Sequence, residues 1–542
     1  MDHTHTSPKP IARLWVLFRP EKRELWMIIF FALFVSLLSL VIPIGIEALV
    51  TTVIFGVAVW PLIWLAGIML FCLGLAGFII AIENYLVELL QRRLFVRVIA
   101  DLAWRLPRLS LGTIQDANGP SLLNRYFEIM TIQKSLGTLL LEGTRLTITN
   151  FVGLVVLAFY HPLLLAFSLG LILLQLILLL LGWGGVRTSI DESVEKYRMA
   201  DWLEDIARHP RMFKTGHGPA FAFHHCEAIT REYLAKRSAH FQIVMRQIAF
   251  GLSLYVASSV LLLGLGGYLV IVQQLTIGQL VAAELIVALI VGSFAKIGKY
   301  INAWFDICTS VEKLGHITDL AVERQGGTPL SAESDDMRVS FHWKGLPSRC
   351  IVNAGERLVL RTPTGYRLDE LLESVAGLRD VPRGTVELDG IDLADLDLNS
   401  VRTQVAYVQA VELFTGTLAD NLSFGTEHED QALREVLRLV GLSDRVNALP
   451  EGLHQPLQPT GYPLSLEEAL RFSIARALLA RPRLLILNGV LDLINLSACP
   501  QLINVLKDPS RPGTILIATD APDVAAQFGR TIVVTPADRN ES

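Results

Sequence analysis

Six long apolar stretches punctuate the first 300 residues: Trp26 to Val50, Val59 to Ile82, Leu139 to Tyr160, Pro162 to Trp183, Ile248 to Val272 and Ile277 to Phe294. Each approaches the roughly 20 apolar residues a helix needs to cross the hydrocarbon core, so the pattern predicts six membrane spans. Two long connections, about residues 86 to 137 and 184 to 246, carry helical periodicity continuous with the spans, as in YLVELLQRRLFVRVIADLAWRL and VEKYRMADWLEDIARHPRMF. Helices that overshoot the bilayer are expected there. Beyond about residue 336 the pattern changes to short buried strands such as GERLVL alternating with amphipathic helices such as DELLESVAGL, the signature of an α/β domain.

Charge placement orients the spans. Lys9, Arg13, Arg19, Lys22 and Arg23 precede the first, and both long connections are rich in Arg and Lys, whereas the short connections TTVIFGVAV and VQQLT hold none. Positive residues stay on the cytoplasmic side, so both termini and both long connections are expected there. A mean hydropathy of +0.45 with 18% charged residues is too apolar for a water-soluble protein and makes membrane lipid the expected solvent. A net charge of -5 without a basic block gives no support for a nucleic-acid partner. Cys72, Cys226, Cys308, Cys350 and Cys499 include no C-x-x-C pair, which argues against a zinc site or a disulfide framework.

Polar residues inside apolar stretches must face a partner or a cavity. Glu47, Glu83, Glu142 and Arg145 lie near span ends, where snorkelling to the interface accounts for them. Asn84 and Asn150 also fall inside spans. Glu284, within VAAELIVALIV, is the sharper case and is the candidate for a transport pathway or a helix-pairing contact.

Short outer loops, two long inner helical hairpins and a following α/β domain together resemble the ATP-binding-cassette exporters. The segments NGPSLLNRYFE and PRMFKTGHGPAF occupy the positions of that family's coupling helices. The resemblance implies an all-α six-helix transmembrane domain over 26–315, after a cytoplasmic segment 1–25. A linker 316–335, an α/β cassette-like nucleotide-binding fold over 336–537 and a tail 538–542 would follow. It also implies a multi-pass protein of a bacterial inner membrane.

The cassette motifs of that family are altered here. A phosphate loop reads G-x-x-x-x-G-K-[ST], with backbone N–H groups and lysine holding phosphates and the hydroxyl holding magnesium. This chain runs from Thr362 through Gly365 to Leu368, Asp369 and Glu370, so leucine replaces the lysine and two carboxylates would face a triphosphate. The strand that should end in a magnesium-binding Asp and a catalytic Glu ends in Asn488 and Gly489, leaving no intact metal ligand or base. Asp520 stands at the switch histidine. The signature, LSGGQ in the family, reads Leu464, Ser465, Leu466, Glu467, Glu468, which puts bulk and negative charge where phosphate approaches a helix N-terminus. Gln409 matches the glutamine loop, and Trp343 falls where a ring stacks on adenine.

In such exporters each ATP lies between one chain's phosphate loop and the other chain's signature, and here both halves are altered. The expectation is therefore an ATPase fold without turnover, with ATP and magnesium as cofactors only if the altered loop still binds them. Three readings stay open: a non-hydrolysing subunit that dimerises in a bacterial export or secretion system, half of a heterodimeric exporter beside an active cassette protein, and a non-transporting scaffold. Phrases such as RLPRLS and LNRYFEIMTIQKSL look like an exporter subgroup associated with secretion adaptors, which implies a periplasmic adaptor as a further partner.

Overall fold

The computed structural model describes residues 10–54, 59–116, 124–343, 346, 348–362, 368–511 and 513–534. Most of NGPSLLNRYFE and Gly365 of the expected phosphate loop lie outside the described residues. The chain divides into two compact units: Met1–Arg108 with Gln115–Leu320, and Leu109–Ile114 with Ala321–Ser542.

The first unit is helical: α1 (Pro10–Phe18), α2 (Lys22–Ser39), α3 (Val41–Ile54), α4 (Val59–Arg105), α5 (Glu128–Gly137), α6 (Thr144–Tyr160), α7 (Pro162–Leu180), α8 (Gly185–Arg208), α9 (Pro210–Lys214), α10 (Gly218–Ile271) and α11 (Ile277–Thr318). Every predicted apolar window falls on a helix. At about 1.5 Å per residue, the 47-residue α4 and the 54-residue α10 run about 70 and 80 Å, more than twice a hydrocarbon core of about 30 Å. They overshoot a bilayer as the periodicity of the long connections predicts. Pro43 breaks the first window into α2 and α3, because it has no N–H to continue the ladder past Leu40. A six-residue π-helical turn, Thr138–Gly143, joins α5 to α6.

Among the described residues, four helical stretches are long and apolar enough to cross a membrane: Ala12–Ile54, Val59–Arg108, Arg125–Tyr160 and Gly218–Ile271. The other two windows carry the shorter apolar stretches Pro162–Leu178 and Ile277–Ile290, so the expected count of six rests on these two. Gly184, with φ near +85° just before α8, supplies a left-handed turn that ends the fourth window. In the most apolar window of Val59–Arg108 only 6% of residues are buried, and Trp60, Trp64 and Phe71 face outward. That surface is built for an apolar solvent.

Several polar residues in these stretches have found each other. Glu83 does not snorkel: it is 1% exposed and accepts an ion pair from Arg145 on α6 at 2.6 Å. Glu142 takes Lys299 at 2.7 Å and the Tyr300 hydroxyl at 3.2 Å, and Glu47 accepts from Tyr160 at 2.7 Å. Asn150 donates to Ser293 at 2.7 Å, while Asn84 donates to the carbonyl of Ile80. Glu284 is half-buried, and its Oε2 has no partner among the described residues.

The second unit holds a parallel five-stranded sheet in the order β11 (Arg530–Val533), β3 (Arg357–Arg361), β10 (Thr514–Thr519), β9 (Leu484–Asn488) and β6 (Val405–Val408). An antiparallel four-stranded sheet runs β2 (Cys350–Val352), β1 (Val339–Phe341), β4 (Val386–Leu388) and β5 (Ile391–Asp392). Strands β9 and β10 are buried along their whole length, which is why LLILN and TILIAT read as unbroken runs rather than alternations. The segment expected to be a linker is not one. Glu323 holds Arg402 through both oxygens at 2.7 and 2.8 Å, Thr328 exchanges backbone bonds with Asp395 and Asp397, and Leu330 donates to Ser400. Residues from Ala321 onward therefore belong to the cassette-like unit, as does Leu109–Ile114 through the bridge of Leu109 with Val322.

Because Glu83 sits among apolar side chains, removing its cation strands a charge. Arg145→Met should destabilise the protein by about 3–5 kcal/mol, and Glu83→Gln with Arg145→Met by much less. Thermal unfolding of the two variants in the same detergent checks the ordering.

Candidate functional site

The carboxyl ends of parallel strands are where α/β folds bind ligands, since the loops leaving them open into one crevice. Here Thr362 follows β3, Asn488 ends β9, Thr519 and Asp520 close β10, and Gln409 follows β6. With Leu368, Asp369, Gly489 and Asp492 they line a cleft of about 330 Å³. The sequence-predicted phosphate-loop, glutamine-loop and switch positions thus converge. Glu370 and Trp343 are not among the residues lining it. Glu370 is exposed on the first turn of α12 (Asp369–Val375), and Trp343 lies half-buried against the apolar core around Leu358.

Leu368, at the position expected for lysine, is 4% exposed and packs into that same core. Asp369 lines the cleft and accepts the Asn488 amide at 2.8 Å. The same NH₂ group donates its other hydrogen to the Tyr407 hydroxyl at 3.0 Å, and Tyr407 in turn donates to Gln409 Oε1 at 3.0 Å. Burial pushes the Tyr407 hydroxyl well above its ordinary range, against the pull of the Asn488 N–H, and the Glu373 and Asp369 carboxylates add to the rise. It therefore stays a donor at any physiological pH. On the other wall Thr362 donates to Asp520, while Asp492 accepts from the Thr519 hydroxyl and, at 3.1 Å, from the Asp520 backbone N–H. Gly489 takes φ near +68°, a left-handed conformation in which any side chain would be strained.

Magnesium takes oxygen ligands in near-octahedral geometry. At the position of the family's aspartate this cleft presents N–H bonds aimed at Asp369 and Tyr407 in place of a carboxylate oxygen, and among the described residues no group of three or more His, Cys, Asp or Glu is placed to hold a metal ion. Among the described residues lining the cleft, the charged groups are Asp369, Asp492 and Asp520, with no cation to meet a phosphate.

The signature segment lies apart from this cleft within the chain and is organised around its own carboxylate. Ser465 caps helix α13 (Leu466–Leu479) by accepting from the Glu468 N–H at 3.3 Å, and Glu468 accepts from the Ser465 N–H at 2.8 Å. Glu468 also faces Arg445 at 3.4 Å, and Glu467 faces Arg471 at 3.6 Å. Leu466 is 67% exposed. The capping box engages two N–H groups of this terminus, as an S-x-x-Q signature also would, and what differs is the carboxylates of Glu467 and Glu468 beside the place where a phosphate would approach. This capping box was legible as S-x-x-E, and Tyr407 was legible as the residue two before Gln409 on the same side of an extended segment. Asp492 carried no local signal.

Residues 349–489 match the family model described as ABC transporter. The chain is 25% identical over 300 residues to the multidrug resistance-like ATP-binding protein MdlA of Escherichia coli, covering 53% of this chain and 51% of that one. It is 31% identical over 191 residues to an ATP-dependent lipid A-core flippase of Burkholderia orbicola, covering 33% and 32%. To the glutathione/L-cysteine transport system ATP-binding/permease protein CydC of Escherichia coli it is 32% identical over 185 residues, covering 34% and 32%. The chain spans about half or less of the length of these relatives. A region similar to the ABC transporter model thus follows, in one chain, a helical unit whose stretches are long and apolar enough to cross a membrane.

Ser465→Ala removes one half of the capping box and should cost the start of α13 about 1 kcal/mol. Hydrogen exchange of the amides at 467–469 should accelerate several-fold, with exchange in β9 and β10 unchanged.

Proposed function

We propose that this chain is an exporter-like membrane subunit whose cassette does not hydrolyse ATP and serves as a structural partner of the membrane domain. The observation that carries the reading is Leu368: the side chain standing where a phosphate-binding lysine belongs is packed into the apolar core, and the cleft beside it is lined by carboxylates. A triphosphate brought among Asp369, Asp492 and Asp520 meets like charge in a partly desolvated cleft, each close pair unfavourable by on the order of 1 kcal/mol or more. Gly489 offers no side chain to activate water.

In this reading the chain supplies six membrane helices, α7 and the first half of α11 completing the set. The termini are cytoplasmic, the membrane is the bacterial inner membrane, and the chain pairs with a second exporter-type subunit. Glu284, half-buried with one oxygen that has no partner among the described residues, is the residue assigned to the transport path. A periplasmic adaptor is the further partner that the resemblance of the membrane segments supports. The heterodimeric alternative requires this chain's signature to serve an active partner's ATP, and the Glu467 and Glu468 carboxylates in the first turn of α13 argue against that role.

The test is nucleotide binding and turnover by the purified full chain in lipid nanodiscs, alone and with co-purifying partners. Turnover is expected to be indistinguishable from a no-protein control, and Leu368→Lys with Asp369→Ser to regain measurable nucleotide binding without turnover. Hydrolysis by the unaltered chain would overturn the reading.

A further inference from the structure

A working phosphate-loop site uses a metal ion to join three parts: the hydroxyl at the start of the phosphate-loop helix, the acidic end of the neighbouring strand, and the nucleotide. This chain joins the corresponding parts without one. Asn488 is 8% exposed at the end of β9 and directs one N–H to Asp369 at the start of α12 and the other to Tyr407 on β6; Tyr407 passes the connection to Gln409. The cross-link spans 119 residues of sequence on one side and 81 on the other.

We propose that Asn488 stands in for the divalent cation: its amide donors bind the Asp369 carboxylate and, through Tyr407, the Gln409 side chain, so that the glutamine loop and the phosphate-loop helix are held together permanently rather than when nucleotide arrives. Two features make the substitution self-consistent. An aspartate at 488 would place two carboxylates at the 2.8 Å separation now bridged by an N–H, which is tenable only with a shared proton or a cation between them. A serine or threonine at 369 would leave the amide facing a neutral hydroxyl and forfeit the charge-assisted bond. Asn488 and Asp369 therefore fit one another without a metal ion between them. The inference rests on the reading of a non-hydrolysing cassette, and it adds what the altered residues do instead.

The experiment uses the full chain in nanodiscs and two readouts that are not turnover: Mn²⁺ binding followed by electron paramagnetic resonance, and hydrogen exchange over 405–411 and 369–375. The unaltered chain should bind no Mn²⁺ at this site, and its exchange should not respond to Mg²⁺. Asn488→Leu should raise exchange in both segments several-fold. Asn488→Asp should do the same in the absence of metal once the pH is raised enough to remove a proton shared with Asp369, and should gain Mn²⁺ affinity by about tenfold or more, as added ligand charge tightens oxygen sites. The swapped pair, Asp369→Asn with Asn488→Asp, should recover protection of 369–375 and lose the acquired Mn²⁺ binding. Equal Mn²⁺ binding by the unaltered chain and Asn488→Asp, or unchanged exchange in Asn488→Leu, would overturn the proposal. Since neither readout measures hydrolysis, such a failure would leave the absence of turnover standing, and turnover with an intact Asn488 cross-link would overturn only the functional reading.

Discussion

A carboxylate withdrawn from water must be met by a cation or by N–H and O–H donors, and the protein satisfies that requirement from its own side chains wherever it arises. In the helical unit Glu83 is met by Arg145, Glu142 by Lys299 and Tyr300, and Glu128, 3% exposed, by Lys196, Tyr197 and Ser310. In the cassette-like unit Asp369 is met by Asn488, and Asp492 by Thr519 and the backbone of Asp520. The same rule that fixes helix neighbours in an apolar solvent supplies the cleft carboxylates with neutral donors from within the chain. A carboxylate already met by N–H and O–H donors has less to gain from a metal ion.

What could be read in advance divides along the range of the interaction. Apolar windows, the overshooting helices and the buried strands LLILN and TILIAT are local patterns, and they map onto helices and strands. The cleft positions Thr362, Leu368, Asp369, Gln409, Asn488, Gly489 and Asp520 were legible because a motif carries its own spacing. Pairs such as Glu83 with Arg145, 62 residues apart, have no local signature, so the rule for span ends suggested snorkelling where packing made an ion pair. Residues 321–335 read as a linker because their partners, Asp395, Asp397, Ser400 and Arg402, lie some 70 residues on.

Two misplacements follow from geometry that a linear reading passes over. Asp369 and Glu370 are successive residues at a helix start, about 100° apart around its axis, so one can face the cleft while the other faces solvent. Leu368 was read as the loss of a cation. Its side chain is also the gain of an apolar contact with a core that includes Leu358, Leu360 and Leu372, and restoring lysine there must withdraw that contact and open the loop. The cleft is therefore a reorganised site and not a vacated one.

That distinction bears on why a cassette without evident chemistry keeps its form. Were the cleft only decaying, substitutions would leave orphaned donors and carboxylates, each unfavourable by about 1–3 kcal/mol, and the loops around it would lose their positions. Instead the substituted residues complement one another: Asn488 with Asp369, Thr362 with Asp520. Mutual fit of this kind holds strands β3, β6, β9 and β10 and helix α12 in register without nucleotide. In the proposed reading, a fold whose ligand contacts are replaced by internal bonds keeps a defined surface for a partner while needing no ligand to form it.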